Sequence, residues 1–259
     1  MPTTVRRVRV PQLAAMKRRG EKIVMVTAYD ATFAKLFERA GVDLMLVGDS
    51  LGMVVEGHQD TLPVTMEAMI HHTRAVVRGT QRALVVADMP FGSYQTSADE
   101  AVANAVRLMK EGGADAVKLE GGESSEAVVR RMSACGIPVM GHVGLTPQSV
   151  KLLGGFRAQG KTEEERERIF HDARRLEHAG AFAVVLESIP EELAGKITEA
   201  LSVPTIGIGA GKSCDGQVLV CYDLLGLTGD EAPPFVKRYG ELGEAVVNAV
   251  SAYAAEVRG

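Results

Sequence analysis

The sequence predicts an α/β protein of the (β/α)8 TIM-barrel class, with an extra helix ahead of the first strand. Three observations lead there. Short apolar runs rich in Val and Ile recur eight times, each the length of a buried parallel strand. Amphipathic helical stretches separate most of them. The chain has 259 residues, and one such barrel needs roughly 250. We therefore read residues 1–259 as a single domain. A doubly wound open sheet is the structural alternative, but it usually carries Gly-x-Gly-x-x-Gly after its first strand. Here the first strand ends in Thr27-Ala-Tyr-Asp30 instead.

The elements follow in order. Pro11 to Gly20 reads as a short basic helix closed by glycine. The strands fall at residues 23–28, 44–47, 84–87, 116–119, 137–140, 182–186, 205–208 and 218–220. Met66, Met69, Ile70, Thr73 and Val77 form an apolar helical stripe. Ser97-Ala-Asp-Glu100 and Thr162-Glu-Glu-Glu165 have the spacing of capping boxes. Ala101, Ala105, Leu108 and Met109 follow the first box; Ile169, Phe170, Ala173 and Leu176 follow the second. Turns leading into strands carry Gly41, Gly112-Gly113, Gly136 and Gly180. Segments leaving strands are longer, at 49–65, 89–96 and 142–161. In barrels the loops after the strands form the active face, so function is expected at the C-terminal strand ends.

Composition narrows the class. Apolar residues make up 46% and charged residues 24%, ordinary globular usage that excludes a disordered chain. The formal net charge is −4, from 33 carboxylates against 29 Lys and Arg, which argues against a nucleic-acid partner. Three Cys with no Cys-x-x-Cys pair exclude a disulfide framework and a structural zinc site. No apolar run reaches the roughly 18 residues of a membrane span. The twin arginine Arg6-Arg7 lacks the apolar segment of a secretory leader, so a cytoplasmic location is expected.

Acidic residues gather at the strand ends: Asp30, Asp49, Asp88, Glu120, Glu187 and Asp223. Composition alone would place about two acids in eight such windows. Asp30 and Asp223 each precede helical sequence and double as candidate helix caps. Asp49, Asp88 and Glu120 come from adjacent strands and make an oxygen-only set suited to Mg2+. Lys118 shares strand parity with Glu120, so both face the same way. A barrel-interior lysine either binds a substrate carboxylate as an ammonium or forms a Schiff base, and nearby acids favour the ammonium. Glu187, at the end of an apolar strand, is a candidate general base. His142 lies on the active face as a contact to substrate or to the groups around it. His71 and His72 belong to a helix and Cys135 to a turn. Gly207 to Gly211 resembles a phosphate-binding loop, but the segment after strand eight offers Asp223 where a glycine turn would complete that site.

Six motifs stand in one order: Met-Val-Thr-Ala-Tyr-Asp (25–30), Val-Gly-Asp-Ser-Leu-Gly-Met (47–53), Asp-Met-Pro-Phe-Gly-Ser-Tyr (88–94), Val-Lys-Leu-Glu-Gly-Gly (117–122), Gly-His-Val-Gly-Leu-Thr-Pro-Gln (141–148) and Gly-Ile-Gly-Ala-Gly (207–211). Together they resemble the ketopantoate hydroxymethyltransferase family, from about Val10 to Leu227. The resemblance implies a Mg2+-dependent barrel of the phosphoenolpyruvate/pyruvate type. It implies transfer of a one-carbon unit from 5,10-methylenetetrahydrofolate to 3-methyl-2-oxobutanoate, giving 2-dehydropantoate for pantothenate and coenzyme A synthesis. Metal ligation falls on Asp49, Asp88 and Glu120. Substrate contacts fall on Asp49, Ser50, Asp88 and Lys118, and proton acceptance on Glu187. A homodecamer is implied as well. Tyr222 departs from the His-Asp pair common at 222–223 in the family, which leaves position 222 without a carried-over role. Three other readings stay open at this stage. They are a Schiff-base aldolase using Lys118, a metal-dependent 2-oxoacid aldolase or lyase, and a non-enzymatic barrel binding phosphate. Gly154-Gly155 and Gly160 make the loop after strand five a candidate lid.

Overall fold

The computed structural model describes residues 7–229 and 232–259. The first arginine of the pair noted above, Arg6, lies outside the described residues. The chain forms two compact units that divide between Val218 and Leu219.

The first unit opens with α1 (Val10–Arg19), β1 (Ile23–Thr27), α2 (Ala31–Ala40), β2 (Leu44–Val47), α3 (Leu51–Val54) and α4 (Met66–Gly79). It continues with β3 (Leu84–Asp88), α5 (Ala98–Arg107), β4 (Ala116–Lys118), α6 (Glu126–Ala134) and β5 (Val139–Gly144). After these come α7 (Val150–Leu153), α8 (Glu163–Ala179), β6 (Ala183–Glu187), α9 (Glu191–Ala200), β7 (Thr205–Ile208) and β8 (Gly216–Leu219). The strands pair in parallel, each with the next, and close into an eight-stranded barrel. This is the predicted (β/α)8 fold with its extra N-terminal helix. Most strand ends match to within one residue, and two strands shift further. The fifth strand runs from Val139 to Gly144, so His142 lies inside it rather than beyond its end. The eighth begins at Gly216, earlier than expected, because glycine lets the backbone approach Ile23 O, 2.5 Å from where a Cβ would stand.

Alternation sorts the strand residues. Leu44, Leu46, Leu84, Val86, Ala116, Met140, Ala183, Val185 and Ile206 fill the barrel interior as one buried cluster. Their neighbours Met45, Val47, Val85, Ala87, Val117, Val139, Val184 and Leu186 are also buried, on the opposite strand face. Burial on both faces is why these strands read as continuous apolar runs. Leu13 of α1, Val8 and Ile23 join the interior cluster. Val8 N donates to Arg82 O, and Lys17 Nζ reaches Asp215 Oδ2 and Thr198 O. Arg82 and Asp215 each lie just ahead of a strand, so α1 plugs the N-terminal mouth of the barrel. The open mouth is the C-terminal one.

Helix starts follow the sequence chemistry. Ser97 and Thr162 accept hydrogen bonds from Glu100 N and Glu165 N, and Thr65 accepts from Ala68 N. On α4 the buried stripe is Met69, Ile70, Thr73 and Val76. The second unit holds α10 (Cys221–Leu224) and α11 (Leu242–Arg258). Among the described residues no helix is long and apolar enough to cross a membrane.

Candidate active site

The site is the next layer of the barrel interior. Two residues beyond the inward-facing Val86, Ala116, Met140 and Val185 stand Asp88, Lys118, His142 and Glu187. Parity carries them to the same side as the core, one step nearer the open mouth. Asp88 and Lys118 are register partners across β3 and β4, and Gly144 and Glu187 across β5 and β6. Glu120 follows Lys118 by two more residues. Asp49 leaves β2 with its own N–H donating to Asp88 Oδ2 at 3.1 Å. Asp49, Asp88, Lys118, Glu120 and His142 are all buried.

A chain of contacts crosses this layer. Lys118 Nζ lies 3.0 Å from Asp88 Oδ1. It lies 3.3 Å from His142 Nδ1. His142 Nε2 lies 3.1 Å from Glu187 Oε2, and its Nδ1 lies 3.7 Å from Glu120 Oε1. Burial works against the Lys118 ammonium, but Asp88, Glu120 and Asp49 outweigh it and hold its pKa above the ordinary lysine value. An ammonium only donates, so His142 Nδ1 must accept, and the proton sits on Nε2 facing Glu187. Burial and the Lys118 charge push the His142 pKa down, in keeping with a neutral ring. Glu187 has the most open side chain of the chain of contacts, at 15% exposed against 3% for His142.

The other residues singled out in the sequence have the following partners. Ser50 Oγ bonds Tyr29 Oη at 2.9 Å. A Cβ on Gly48 would stand 2.7 Å from that hydroxyl and 3.6 Å from Asp88 Oδ2, so only glycine lets Ser50 fold back toward the acids. Glycine is equally required at Gly144 (φ +95°), where a Cβ would meet Glu187 O at 2.3 Å. Asp30 is a helix cap, its Oδ1 accepting from Thr32 N and Phe33 N. Asp223 accepts from the Thr228 hydroxyl within the second unit. The glycine loop after β7 is already served by a carboxylate: Glu191 Oε1 accepts from Lys212 N and the Ser213 hydroxyl. An internal acid holds the ground a phosphate would need.

Sequence reasoning missed two residues, Tyr94 and Gln148. Both are buried, and their side chains bond each other at 2.7 Å. Both lie inside quoted motifs, but neither is charged, and only the folded loops bring them to the acids.

The acid set fits a hard divalent cation. Burial, then the charge of Asp88, raise the Asp49 pKa to about 7. Burial and Asp49 raise that of Glu120 as well. Asp88 Oδ1 is buried without an aligned hydrogen-bond donor; its contact with Lys118 is a charge pair only. Oxygen donors that repel one another, with one lone pair left open, are what a Mg2+ ion relieves. Among the described residues no group of three or more His, Cys, Asp or Glu side chains stands arranged to hold a metal ion, so waters or substrate oxygens would supply most of the shell.

Fold and site together define a parallel eight-stranded barrel with buried acids, a lysine and a histidine gathered at its C-terminal strand ends. Comparison with known proteins agrees. The ketopantoate hydroxymethyltransferase family matches residues 7–259. A 3-methyl-2-oxobutanoate hydroxymethyltransferase of Moorella thermoacetica is 63% identical over 97% of this chain and 94% of its own. One from Magnetococcus marinus is 57% identical over 98% and 94%. The chain belongs to this family and is a hydroxymethyltransferase. Among solved structures, phosphonopyruvate hydrolase with oxalate and Mg2+ shares the fold at a TM-score of 0.64 and 16% identity, covering 96% of this chain and 86% of its own. A 2,3-dimethylmalate lyase of the PEP mutase/isocitrate lyase superfamily does so at 0.60 and 17%, covering 96% and 99%.

Proposed function

We propose that the chain moves a hydroxymethyl unit from 5,10-methylenetetrahydrofolate to C3 of 3-methyl-2-oxobutanoate, giving 2-dehydropantoate for pantothenate and coenzyme A synthesis. The relatives' names support the acceptor, and the motif resemblance supports the folate donor. The observation that carries the mechanism is the Lys118–His142–Glu187 line. It sets a fixed cation for a substrate carboxylate at one end and a carboxylate base at the other.

Asp49, Asp88 and Glu120 would hold Mg2+, the ion present with oxalate in the hydrolase of the same fold. Bound there, the ion supplies Lewis-acid withdrawal of charge from the keto oxygen. The chain's own residues do the rest. Lys118 binds the substrate carboxylate, and Ser50 contacts the substrate beside Asp88. Glu187 takes the C3 proton, its carboxylate lying 3.1 Å from His142 Nε2. The C3 carbanion forms a C–C bond to the methylene carbon of the folate as one of its two C–N bonds breaks; water then breaks the other, leaving its hydroxyl on the product and its proton on the departing tetrahydrofolate nitrogen. Charged Lys118 lacks the free amine lone pair a Schiff base requires.

The same reading gives a cytoplasmic homo-oligomer, the decamer that the resemblance implies. The free cysteines support the compartment. The exposed apolar stripe Val246, Val250, Tyr253 and Val257 on α11 supports burial against another copy.

The test is proton exchange. With the ketoacid in D2O and no folate, the C3 proton signal should disappear in the presence of Mg2+ and persist in EDTA. Glu187→Gln should bind ketoacid yet lose exchange. Wild-type protein that exchanges neither alone nor with tetrahydrofolate refutes the mechanism, and exchange retained by Glu187→Gln removes Glu187 from its role.

A further inference from the structure

Gln148 lies in the short 3-10 turn Pro147–Ser149, at the root of the loop after β5. Its side chain is buried and all four of its hydrogen-bonding positions are used. Nε2 donates to Asp49 Oδ2 at 2.8 Å and to Met89 O at 2.9 Å. Oε1 accepts from Tyr94 Oη at 2.7 Å and Gln95 Nε2 at 3.1 Å. Its backbone N–H donates to Glu120 Oε2 at 3.0 Å. Tyr94 Oη in turn accepts from Glu120 N at 3.2 Å.

The amide can stand only one way round. Met89 O only accepts and the Gln95 amide nitrogen only donates, so a flipped Gln148 would lose both bonds. One residue thus clamps two acids, Asp49 after β2 and Glu120 after β4. It anchors itself to the loop after β3. The saturated buried side-chain amide orients Asp49, while the backbone N–H of the same residue holds Glu120.

We propose that Gln148, with Tyr94 behind it, is a positioning residue that presets Asp49 and Glu120 to receive the divalent cation. This rests on the metal reading given above. Because the amide adds donors without adding charge, it aims the acids and leaves their negative charge for the ion. A cation at this place would aim them and neutralise them.

The test uses EDTA-treated full-length protein titrated calorimetrically with MgCl2 alone, and the Mg2+ dependence of C3 proton exchange. Gln148→Met keeps the length of the side chain and deletes its hydrogen bonds. Its Mg2+ dissociation constant and its Mg2+ activation constant should both rise about 10- to 100-fold, the usual loss for a partner of a metal ligand. Exchange at saturating Mg2+ should stay within about threefold. A merely structural role would lower stability and leave the metal constants in place. If Gln148→Met fails to fold, Tyr94→Phe decides, because it removes the hydroxyl that bonds Gln148 Oε1 and Glu120 N and should weaken Mg2+ about three- to tenfold. Mg2+ constants unchanged in a folded Gln148→Met, or in Tyr94→Phe where that decides, overturn the proposal. Wild-type protein that takes up no Mg2+ overturns the metal reading itself, and the proposal with it.

Discussion

Without metal, the acid layer should make the protein less stable as pH rises, and Asp49 is the residue to isolate. Its pKa stands at about 7 against an ordinary 3.8, because burial and then Asp88 disfavour its charge. The folded chain therefore binds a proton at Asp49 that the unfolded chain has already released. Between those two values stability falls with rising pH; below 3.8 the penalty is absent, and above about 7 it is complete. The gap sets a ceiling of about 4 kcal/mol. His142 runs the other way: its lowered pKa costs stability as pH falls through the ordinary imidazole range. The measurement must therefore be a difference between variants. Asp49→Asn stays neutral at every pH. Metal-free wild type and Asp49→Asn should melt together near pH 4 and diverge by up to about 10 °C at pH 8, at about 2–4 °C per kcal/mol for a chain of this size. Added Mg2+ should close that gap from the wild-type side. Parallel pH curves for the two proteins would refute the assigned charge balance.

Three further outcomes follow from the same geometry. Lys118→Met leaves Asp88 without its 3.0 Å partner. Breaking a buried pair on one side costs about 3–5 kcal/mol, which denaturant unfolding at neutral pH should register. Borohydride added to wild type with ketoacid should give no mass adduct on Lys118; an adduct would restore the Schiff-base chemistry. Ser188, directly after Glu187, is the one non-glycine residue with positive φ among the described residues, at +50°. Ser188→Gly should therefore preserve both melting temperature and exchange. Ser188→Val should cost about 1–3 kcal/mol and slow exchange by displacing Glu187, and equal exchange in the two variants would count against that strain.

The barrel was legible because each strand is buried on both faces, which writes an uninterrupted apolar run into the sequence. The acids were legible as an excess of charge at the strand ends, and Lys118 because it shares strand parity with Glu120. The same logic failed at strand five. Gly-His-Val-Gly carries a buried histidine and two glycines, so the run looked finished at Met140, and His142 was set beyond a strand that contains it. The glycine loop, already disfavoured for phosphate in the sequence, hid its actual partner: Glu191 at the start of α9 accepts from Lys212 N just past the loop. That pairing spans two secondary-structure elements and leaves no local trace.

Gln148 was the hardest residue to read, and its chemistry explains why such residues stay hidden. Charge announces itself in a sequence because burying it is costly and demands a purpose. An amide is tolerated on any surface loop, so Gln148 carries no signal until Tyr94, Gln95, Met89, Asp49 and Glu120 surround it. Yet an amide suits the place better than a charged side chain. Lys118 already supplies one positive charge to Asp88, and a second fixed cation against Asp49 would compete with any mobile one. Four matched hydrogen bonds give direction without neutralisation. The layer can then stay electrostatically strained while geometrically ordered, which is the condition in which an incoming cation gains most from binding.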